Sequence, residues 1–418
     1  MLAVAFKGSR KYWGFLVFLL GVIGVGFLCW LREHHLGSGP TSGLSRDVPW
    51  GMHVGQLTFF VGVAASAVMV LLPYYLHDFK RFARITVLGE FLAVGAVIVS
   101  MLSVFTIMGR PERVFNVMLH PTPGSIIFWD MIVLSTYLFL NILCGWTILG
   151  AEHRGEPAPK WIKPFIYLAI FWAPSIHMIT AFLYAGLPGK HHWATALQTV
   201  HFLASAFAAG PALLIALAML IAKVSRFDPG EKAIQKLAQI VLYAMSLHLF
   251  FIGLEFFTTF YSQNPEHMET LTYLYVGLPG HTTMVPVMWT SSGLALLGLL
   301  LLAIPTTRKN PKTLVVGALA TFFSIWLDKG LAFVVAGFIP NAFGEITEYW
   351  PKWNEALVAA GALATGAFVL TVLYKVAISV KEKAGVDAYG VAQVREPGGP
   401  STAAPLAPPT ALADTPPA

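Results

Sequence analysis

The strongest constraint on this chain is a series of ten long apolar runs. An α-helix of about 20 residues crosses a hydrocarbon layer roughly 30 Å thick. Runs of this length predict helices, because backbone groups in lipid must be satisfied internally and barrel strands are about half as long. The ten runs lie near residues 12–31, 52–76, 84–108, 127–150, 164–187, 195–222, 238–262, 283–305, 313–339 and 355–378. We therefore predict an all-α integral membrane protein of about ten transmembrane helices.

The distribution of Lys and Arg predicts how these helices are oriented. Of the 27 basic residues, 20 lie at the N-terminus, in every second loop or after the last apolar run, and 6 lie in the other loops. Loops rich in Lys and Arg stay in the cytoplasm, so both termini are predicted to be cytoplasmic, in the inner membrane of a bacterium or archaeon. This asymmetry accounts for the net charge of +6. The lipid bilayer is therefore a partner, and we infer no nucleic-acid partner.

The two cysteines argue against metal and haem cofactors in this chain. Cys29 and Cys144 both lie inside apolar runs and form no CxxC or CxxCH pattern. Iron–sulfur clusters, structural zinc sites and c-type haem all require such patterns. We therefore expect no iron–sulfur cluster, structural zinc site or c-type haem in the chain itself, and we name no metal-binding residues.

Several titratable side chains lie where the membrane should exclude them. A charged side chain at membrane depth costs a few kcal/mol, so each such residue is a hypothesis for function. The set is His53, Glu90, Asp130, His177, His201, His248, Glu255, Asp328 and Lys329. All except Glu90 and His248 fall in the outer, periplasmic half of their predicted helices. This uneven distribution predicts one water-filled or ligand-filled cavity that opens toward the periplasm. Glu90 and His248 would form a sparse route to it from the cytoplasmic side.

Structural interpretations of these residues stay open. A single buried histidine in a helix bundle is more often a hydrogen-bonded packing residue than a ligand. Asp328 and Lys329 point about 100° apart on their helix, so each is expected to pair with another helix rather than with its neighbour. A structural ion pair and a proton-transfer role are equally compatible with their sequence. Tryptophans near the outer helix ends, Trp50 and Trp193 among them, are interpreted as an interfacial belt.

Six segments resemble the NrfD/PsrC family, the membrane subunits of polysulfide-reductase-like respiratory complexes. They are VPWGMHVGQLTFFVGVAASAVMVLLP (48–73), IMGRPERVFN (107–116), SIIFWD (125–130), SIHMITAFLYAGLPG (175–189), HFLASAFAAGPALL (201–214) and WLDKGLAFVVAGFIPNAFGEITEYWP (326–351). The ten-helix length and the Asp-Lys-Gly and Gly-Phe-Ile-Pro motifs are most similar to those of the DsrP/HmcC branch of sulfur-metabolism complexes. The resemblance extends over roughly residues 48–380.

The resemblance implies a division of the chain. Residues 1–47 would hold an added first helix and an outer loop, and residues 48–354 a core of two four-helix bundles that interacts with quinone. Residues 355–383 would form an added last helix. Residues 384–418, rich in Pro and Ala and without periodicity, are interpreted as a disordered cytoplasmic tail.

The resemblance also implies a function. The chain would be a subunit without catalysis of its own in a menaquinol-linked oxidoreductase complex. It would bind menaquinone or another quinone near the periplasmic face and exchange electrons with a periplasmic, ferredoxin-like iron–sulfur subunit. Cytochrome c and further membrane or cytoplasmic redox subunits would complete the complex. The identity of the quinone, the direction of electron flow and proton pumping stay open.

Quinol oxidation releases two protons and two electrons, so its site needs hydrogen-bond donors and titratable groups. The candidate quinone ligands are His177, His53, Gln56 and Asp130, then Tyr184 and His201. The candidates for proton transfer are Glu255, Asp328, Lys329, His248 and Glu90. Related sequences open the first core helix with Asn-x-x-His, whereas His53 and Gln56 have that spacing here with other identities.

Two other functional classes fit the embedded polar residues. A haem-b electron carrier could use the histidines, although each helix offers only one. A secondary transporter could use the charges for a solute or an ion. A transporter should purify alone, whereas a quinone-reactive subunit should bring iron–sulfur and cytochrome partners.

The predicted orientation can be tested with reporter fusions. Fusions after residue 380 should report a cytoplasmic location, and fusions within residues 264–280 a periplasmic one, because basic loops are retained inside. Activity of a periplasmic reporter such as alkaline phosphatase, paired with a cytoplasmic reporter at the same sites, provides the measurement. The opposite pattern would show that the polar side chains crowd the cytoplasmic half.

Overall fold

The computed structural model describes residues 1–384 apart from 78, 188 and 342, without the side chains of residues 383 and 384. Ten of its helices are long and apolar enough to cross a membrane, and each coincides with one predicted run. The all-α membrane fold is therefore confirmed. The ten helices are α1 (Arg10–Leu36), α2 (Met52–Tyr75), α3 (Thr86–Ile107), α4 (Ile126–Arg154), α5 (Lys163–Ala185), α6 (Leu197–Val224), α7 (Glu231–Tyr261), α8 (Val285–Ala303), α9 (Pro311–Ala336) and α10 (Trp353–Ala384). The predicted disordered tail, from residue 385 on, lies outside the described residues.

The eight central helices form two four-helix bundles. In the first bundle α2 packs on α3 and α5, and α4 closes the ring between them. In the second, α6 packs on α7 and α9, and α8 closes the ring. Contacts of α2 with α6 and with the outer part of α9 join the bundles, while α10 pairs with α1 and packs on α3 and α4. The two implied bundles and the two added helices are thus present.

Two irregular helices lie at the junction of the bundles. Helix α2 is interrupted after Ala65, where a Cβ on Gly210 of α6 would lie 2.0 Å from the Cβ of Ser66. Helix α9 widens into a π-helix over Trp326–Ala332, and a Cβ on Gly55 of α2 would lie 2.2 Å from the carbonyl oxygen of Gly330. Because π-helical segments concentrate at functional sites, we expect a functional site near this contact.

The helix ends predicted to face the periplasm, called the outer ends, carry a buried aromatic cluster. The ring of Trp193 lies between those of Trp50, Tyr184 and Phe338, and its Nε1 donates to the carbonyl oxygen of Phe333 at 3.0 Å. Trp193 is fully buried, so its interpretation as a belt residue is wrong. A further helix, Pro265–Tyr275, follows α7 and packs over this region.

A glycine contact joins the first helix to the last. A Cβ on Gly26 would lie 2.8 Å from the Cα of Gly361, whereas a Cβ on Gly24 would meet nothing within 4 Å. Small residues at such crossings let two membrane helices approach closely.

We expect Gly26→Leu to destabilise the α1 and α10 pair by about 1–3 kcal/mol through overpacking. Gly24→Leu, on the same helix, is the matched control and should melt like the parent. Thermal unfolding in detergent can be followed with a thiol-reactive dye, because Cys144 is buried and becomes reactive on unfolding. Equal midpoints for both variants would contradict the contact.

Candidate functional site

A cavity lies at the outer end of the second bundle. It has a volume of about 520 Å³, its open mouth included, and we call it the buried cavity. Its walls come from α6 to α9 and from the helix Pro265–Tyr275, and aromatic and aliphatic side chains supply most of the lining. The titratable side chains that line it are His192, His201, Glu255, Tyr275, Asp328 and Lys329. Four residues of the predicted outward cluster, His201, Glu255, Asp328 and Lys329, therefore line one cavity.

Three helices contribute a chain of close polar contacts beside this cavity, one hydrogen bond and one ion-pair contact. Nε2 of His201 on α6 lies 2.9 Å from Nδ1 of His248 on α7. Nε2 of His248 lies 3.4 Å from Oδ2 of Asp328 on α9. Asp328 thus pairs with another helix, as its sequence predicted. Because both ring nitrogens of His248 have partners, this histidine fixes the position of the other two side chains.

Lys329 turns away from Asp328 within the π-helix. Its Nζ donates to the carbonyl oxygen of Phe202 at 3.3 Å and lies 4.1 Å from the centre of the Phe202 ring. The side chain is 4% exposed. A carbonyl dipole and an aromatic face stabilise a cation only partly, so this ammonium can still bind a further oxygen ligand.

His177 lies behind Lys329 and is fully buried. A Cβ on Gly62 would be 3.5 Å from Cε1 of His177 and 3.5 Å from Nζ of Lys329, so both side chains adjoin this glycine. Among the described residues, neither ring nitrogen of His177 has a hydrogen-bond partner. Buried polar groups are normally paired, so an unpaired histidine is a candidate ligand.

The side chains of Asp130 and Tyr184 form hydrogen bonds within the first bundle and do not line the buried cavity. Oγ1 of Thr180 donates to Oδ1 of Asp130 at 2.9 Å. The Tyr184 hydroxyl shares a short hydrogen bond with Thr58 of α2. Both side chains are buried between helices, and their geometry stabilises the contacts of α5 with α4 and α2.

His53 and Gln56 lie on the face of α2 that meets α3 and α10. Nδ1 of His53 is 3.3 Å from Oγ1 of Thr106 on α3, and the Gln56 amide accepts from Ser103 of α3 at 3.3 Å. Nε2 of Gln56 donates to the Ala359 carbonyl of α10 at 3.5 Å. These two candidates are therefore separated by α2 from the histidines around the buried cavity.

Glu90 lies near the inner end of α3, away from the buried cavity. It is fully buried, and among described residues neither carboxyl oxygen has a hydrogen-bond partner. Its Oε2 lies 3.2 Å from the position of a Cβ on Gly145 of α4. Glu90 is the only proton-transfer candidate, among those named from the sequence, that belongs to the first bundle.

The structure adds His192, which sequence reasoning missed. Its Nδ1 lies 3.6 Å from Oε1 of Glu255, and its side chain is 7% exposed. Burial, followed by the positive charge of His267, lowers the pKa of His192 to about 4, so its imidazole is neutral at pH 7. His192 precedes α6 in an outer loop, and only residues within the apolar runs were considered as candidates. The available signal was a pair of adjacent histidines, His191 and His192, one residue beyond the sequence Leu-Pro-Gly.

The same residues could in principle bind a cation, because His201, His248 and Asp328 each offer a ligand atom within 4.8 Å of the other two. Two observations favour hydrogen bonding instead. The two histidines are in direct contact, and the Lys329 ammonium lines the same cavity. A second cation beside Lys329 would be repelled.

Comparison with known proteins gives a family and three relatives. A family model described as polysulphide reductase, NrfD matches residues 41–334, from before α2 to within α9. The Hdr-like menaquinol oxidoreductase integral membrane subunit of Archaeoglobus fulgidus is 25% identical over 258 residues, which cover 61% of this chain and 63% of the relative. A putative membrane subunit of dimethyl sulfoxide reductase from Halobacterium salinarum is 23% identical over 401 residues, 87% of this chain and 89% of the relative.

The third relative is a selenate reductase subunit from Mesobacillus selenatarsenatis. It is 23% identical over 266 residues, which cover 56% of this chain and 61% of the relative. The matches to the Archaeoglobus and Mesobacillus proteins therefore span less than two thirds of each relative's own length. Helices α1 and α10 lie outside the family match.

The bond from His248 to Asp328 should stabilise the outer end of the second bundle. Asp328→Leu leaves Nε2 of His248 without an acceptor, and we expect it to destabilise the protein by about 1–3 kcal/mol. Asp328→Asn is the matched control, since its amide oxygen can still accept. Thermal unfolding of the two variants measures the difference, and similar midpoints would show that this bond does not form.

Proposed function

Since the chain belongs to the polysulphide reductase NrfD family, we propose that it is a quinone-reactive membrane subunit with its site at the buried cavity. The proposed ligand is menaquinone or a related quinone, and the proposed electron partner is an iron–sulfur subunit docked at the outer ends. The observation that carries the proposal is the convergence of His201, Asp328 and Lys329 on one membrane-embedded cavity.

The cavity fits a quinone in the character of its lining. Ligand sites typically have mostly apolar walls and a few converging polar groups. Phe202, Phe256 and Phe333 offer aromatic faces to a planar ring, and Lys329 offers a hydrogen-bond donor to an oxygen. His177 does not line the cavity, but its unpaired nitrogens lie behind Lys329, across Gly62, where they can support the ammonium.

A quinol bound in the cavity supplies two electrons and two protons when it is oxidised. In this proposal Lys329 and His201 hold the oxygens of the ring, with His177 supporting Lys329 from across Gly62. Asp328 and His248 keep His201 in one orientation through the bonded chain. Glu255, at the outer wall of the cavity, accepts protons.

Electrons need an acceptor outside this chain, because its two cysteines form no ligand pattern. The proposed docking surface for an iron–sulfur partner consists of the outer loops 109–126, 188–194, 263–282 and 340–354. Cytochrome c and further redox subunits are proposed to complete the complex. The relatives support this assignment, since each is named as a subunit of an oxidoreductase or reductase.

Replacing His177 tests the quinone site. His177→Phe should fold, because an aromatic ring of similar volume still packs and no polar group is left buried. Because His177 acts on quinone through Lys329, quinone affinity should fall by about 1–3 kcal/mol, the range for a lost buried hydrogen bond, or roughly fivefold to a few hundredfold. Quinone titration of the purified complex measures this change. His35→Phe, at an exposed residue near the outer end of α1, is the control.

Glu255→Gln should separate binding from proton transfer, with affinity kept and quinol turnover slowed. If His177→Phe binds and oxidises quinol like the parent, the role of His177 beside Lys329 fails, and with it the placement of the quinone against Lys329. The site would then move to the face of α2 that carries His53 and Gln56.

A further inference from the structure

A second space, called the surface pocket, opens at the outer ends above the buried cavity. It has a volume of about 790 Å³ with its open mouth, and polar residues form much of its wall. These include Lys190, His191, Glu266 and Glu269. Among the described residues that line the two spaces, His192 alone belongs to both.

The backbone around His192 is held firmly. His191–Trp193 forms a single tight helical turn, and buried Trp193 anchors it through its bond to the Phe333 carbonyl at 3.0 Å. The His192 ring also packs near the Phe333 ring, with 5.8 Å between their centres. The imidazole is therefore fixed in the wall that separates the two spaces.

Titratable groups lie on both sides of this wall. On the inner side, Glu255 of α7 has Oε1 3.6 Å from Nδ1 of His192, and it lines the buried cavity together with His201 of α6 and Asp328 of α9. On the outer side, His191 and Glu266 are paired at 2.9 Å, and His267 from the helix Pro265–Tyr275 acts on His192 through its charge.

We propose that Glu255 and His192 form the proton passage between the buried cavity and the outer surface. The source of the protons rests on the proposed quinol oxidation, whereas the passage is a property of this chain alone. A proton held on Oε1 of Glu255 passes to Nδ1 of His192. The imidazolium then loses its Nε2 proton to water in the surface pocket, and tautomer exchange returns the imidazole to its starting form. Glu255 is left as a carboxylate and takes the next proton from the buried cavity.

The low basicity of His192 suits this role. A neutral imidazole has one nitrogen that accepts a proton and one that donates it. A pKa near 4 means that the charged form is short-lived at pH 7, so the proton moves on rather than staying on the ring. The carboxylates of Glu266 and Glu269 can accept it in the surface pocket.

The test measures proton access without quinone. The full chain in liposomes is given a rapid pH change on its outer side, and protonation of Glu255 is followed by the infrared carboxyl band that Glu255→Gln removes. His192→Phe keeps an aromatic ring beside Phe333 and should slow equilibration by about tenfold or more, as expected when a proton relay is lost. His35→Phe should equilibrate like the parent.

A second variant distinguishes the loss of a proton relay from the loss of packing. His192→Ala opens a hole toward the surface pocket, and added imidazole should speed its equilibration, an effect that a packing role would not produce. A parent-like rate in folded His192→Phe, or no effect of imidazole on His192→Ala, would overturn the proposal. Quinone titration of the same samples judges the proposed function separately, because binding in the cavity does not require the passage.

Discussion

The close contact of Gly55 with the carbonyl oxygen of Gly330 determines how the two bundles meet. No side chain larger than hydrogen fits there, because a Cβ on Gly55 would lie 2.2 Å from that oxygen. The carbonyl is part of the π-helix over Trp326–Ala332, so α2 packs directly on the one irregular turn of α9. Asp328 and Lys329 precede Gly330, and their directions follow from that turn. The cavity, the histidine chain and the ammonium of Lys329 all depend on this approach.

The buried polar groups fall into two classes, and the difference carries the functional argument. Asp130, Tyr184 and Gln56 have bonding partners on neighbouring helices, so packing explains them. His177 has no such partner within the part of the chain that is described, and Lys329 has only a carbonyl and a ring. Leaving a donor or acceptor unpaired in a low-dielectric interior costs about 1–3 kcal/mol. A ligand in the cavity could compensate for that cost at Lys329 and His177, whereas Glu90, also unpaired among the described residues, does not line the cavity.

The sequence predicted the number and position of the helices because length and apolar character alone decide whether a segment can span a membrane. It also predicted that Asp328 and Lys329 separate, since neighbours on any helix diverge. It could not assign His53 and His177 to different sides of α2, because periodicity orients a side chain on its own helix without naming the helix it meets. The π-helix adds a shift that a period of 3.6 residues does not include. His192 was not predicted, because it lies in a loop outside the apolar runs that supply the candidates.

The pairing of α1 with α10 has a consequence for synthesis. Chains emerge from the ribosome N-terminus first, so α1 enters the membrane long before its partner exists. During that interval lipid must solvate the glycine face around Gly26, which Leu357 and Gly361 of α10 later cover. Helix α1 is suited to lipid, since only 17% of its most apolar stretch is buried even in the finished fold. Before α10 is made, the contact of Trp30 with Phe105 and Thr106 of α3 is available to α1, and a chain that stops before α10 leaves the glycine face of α1 exposed to lipid.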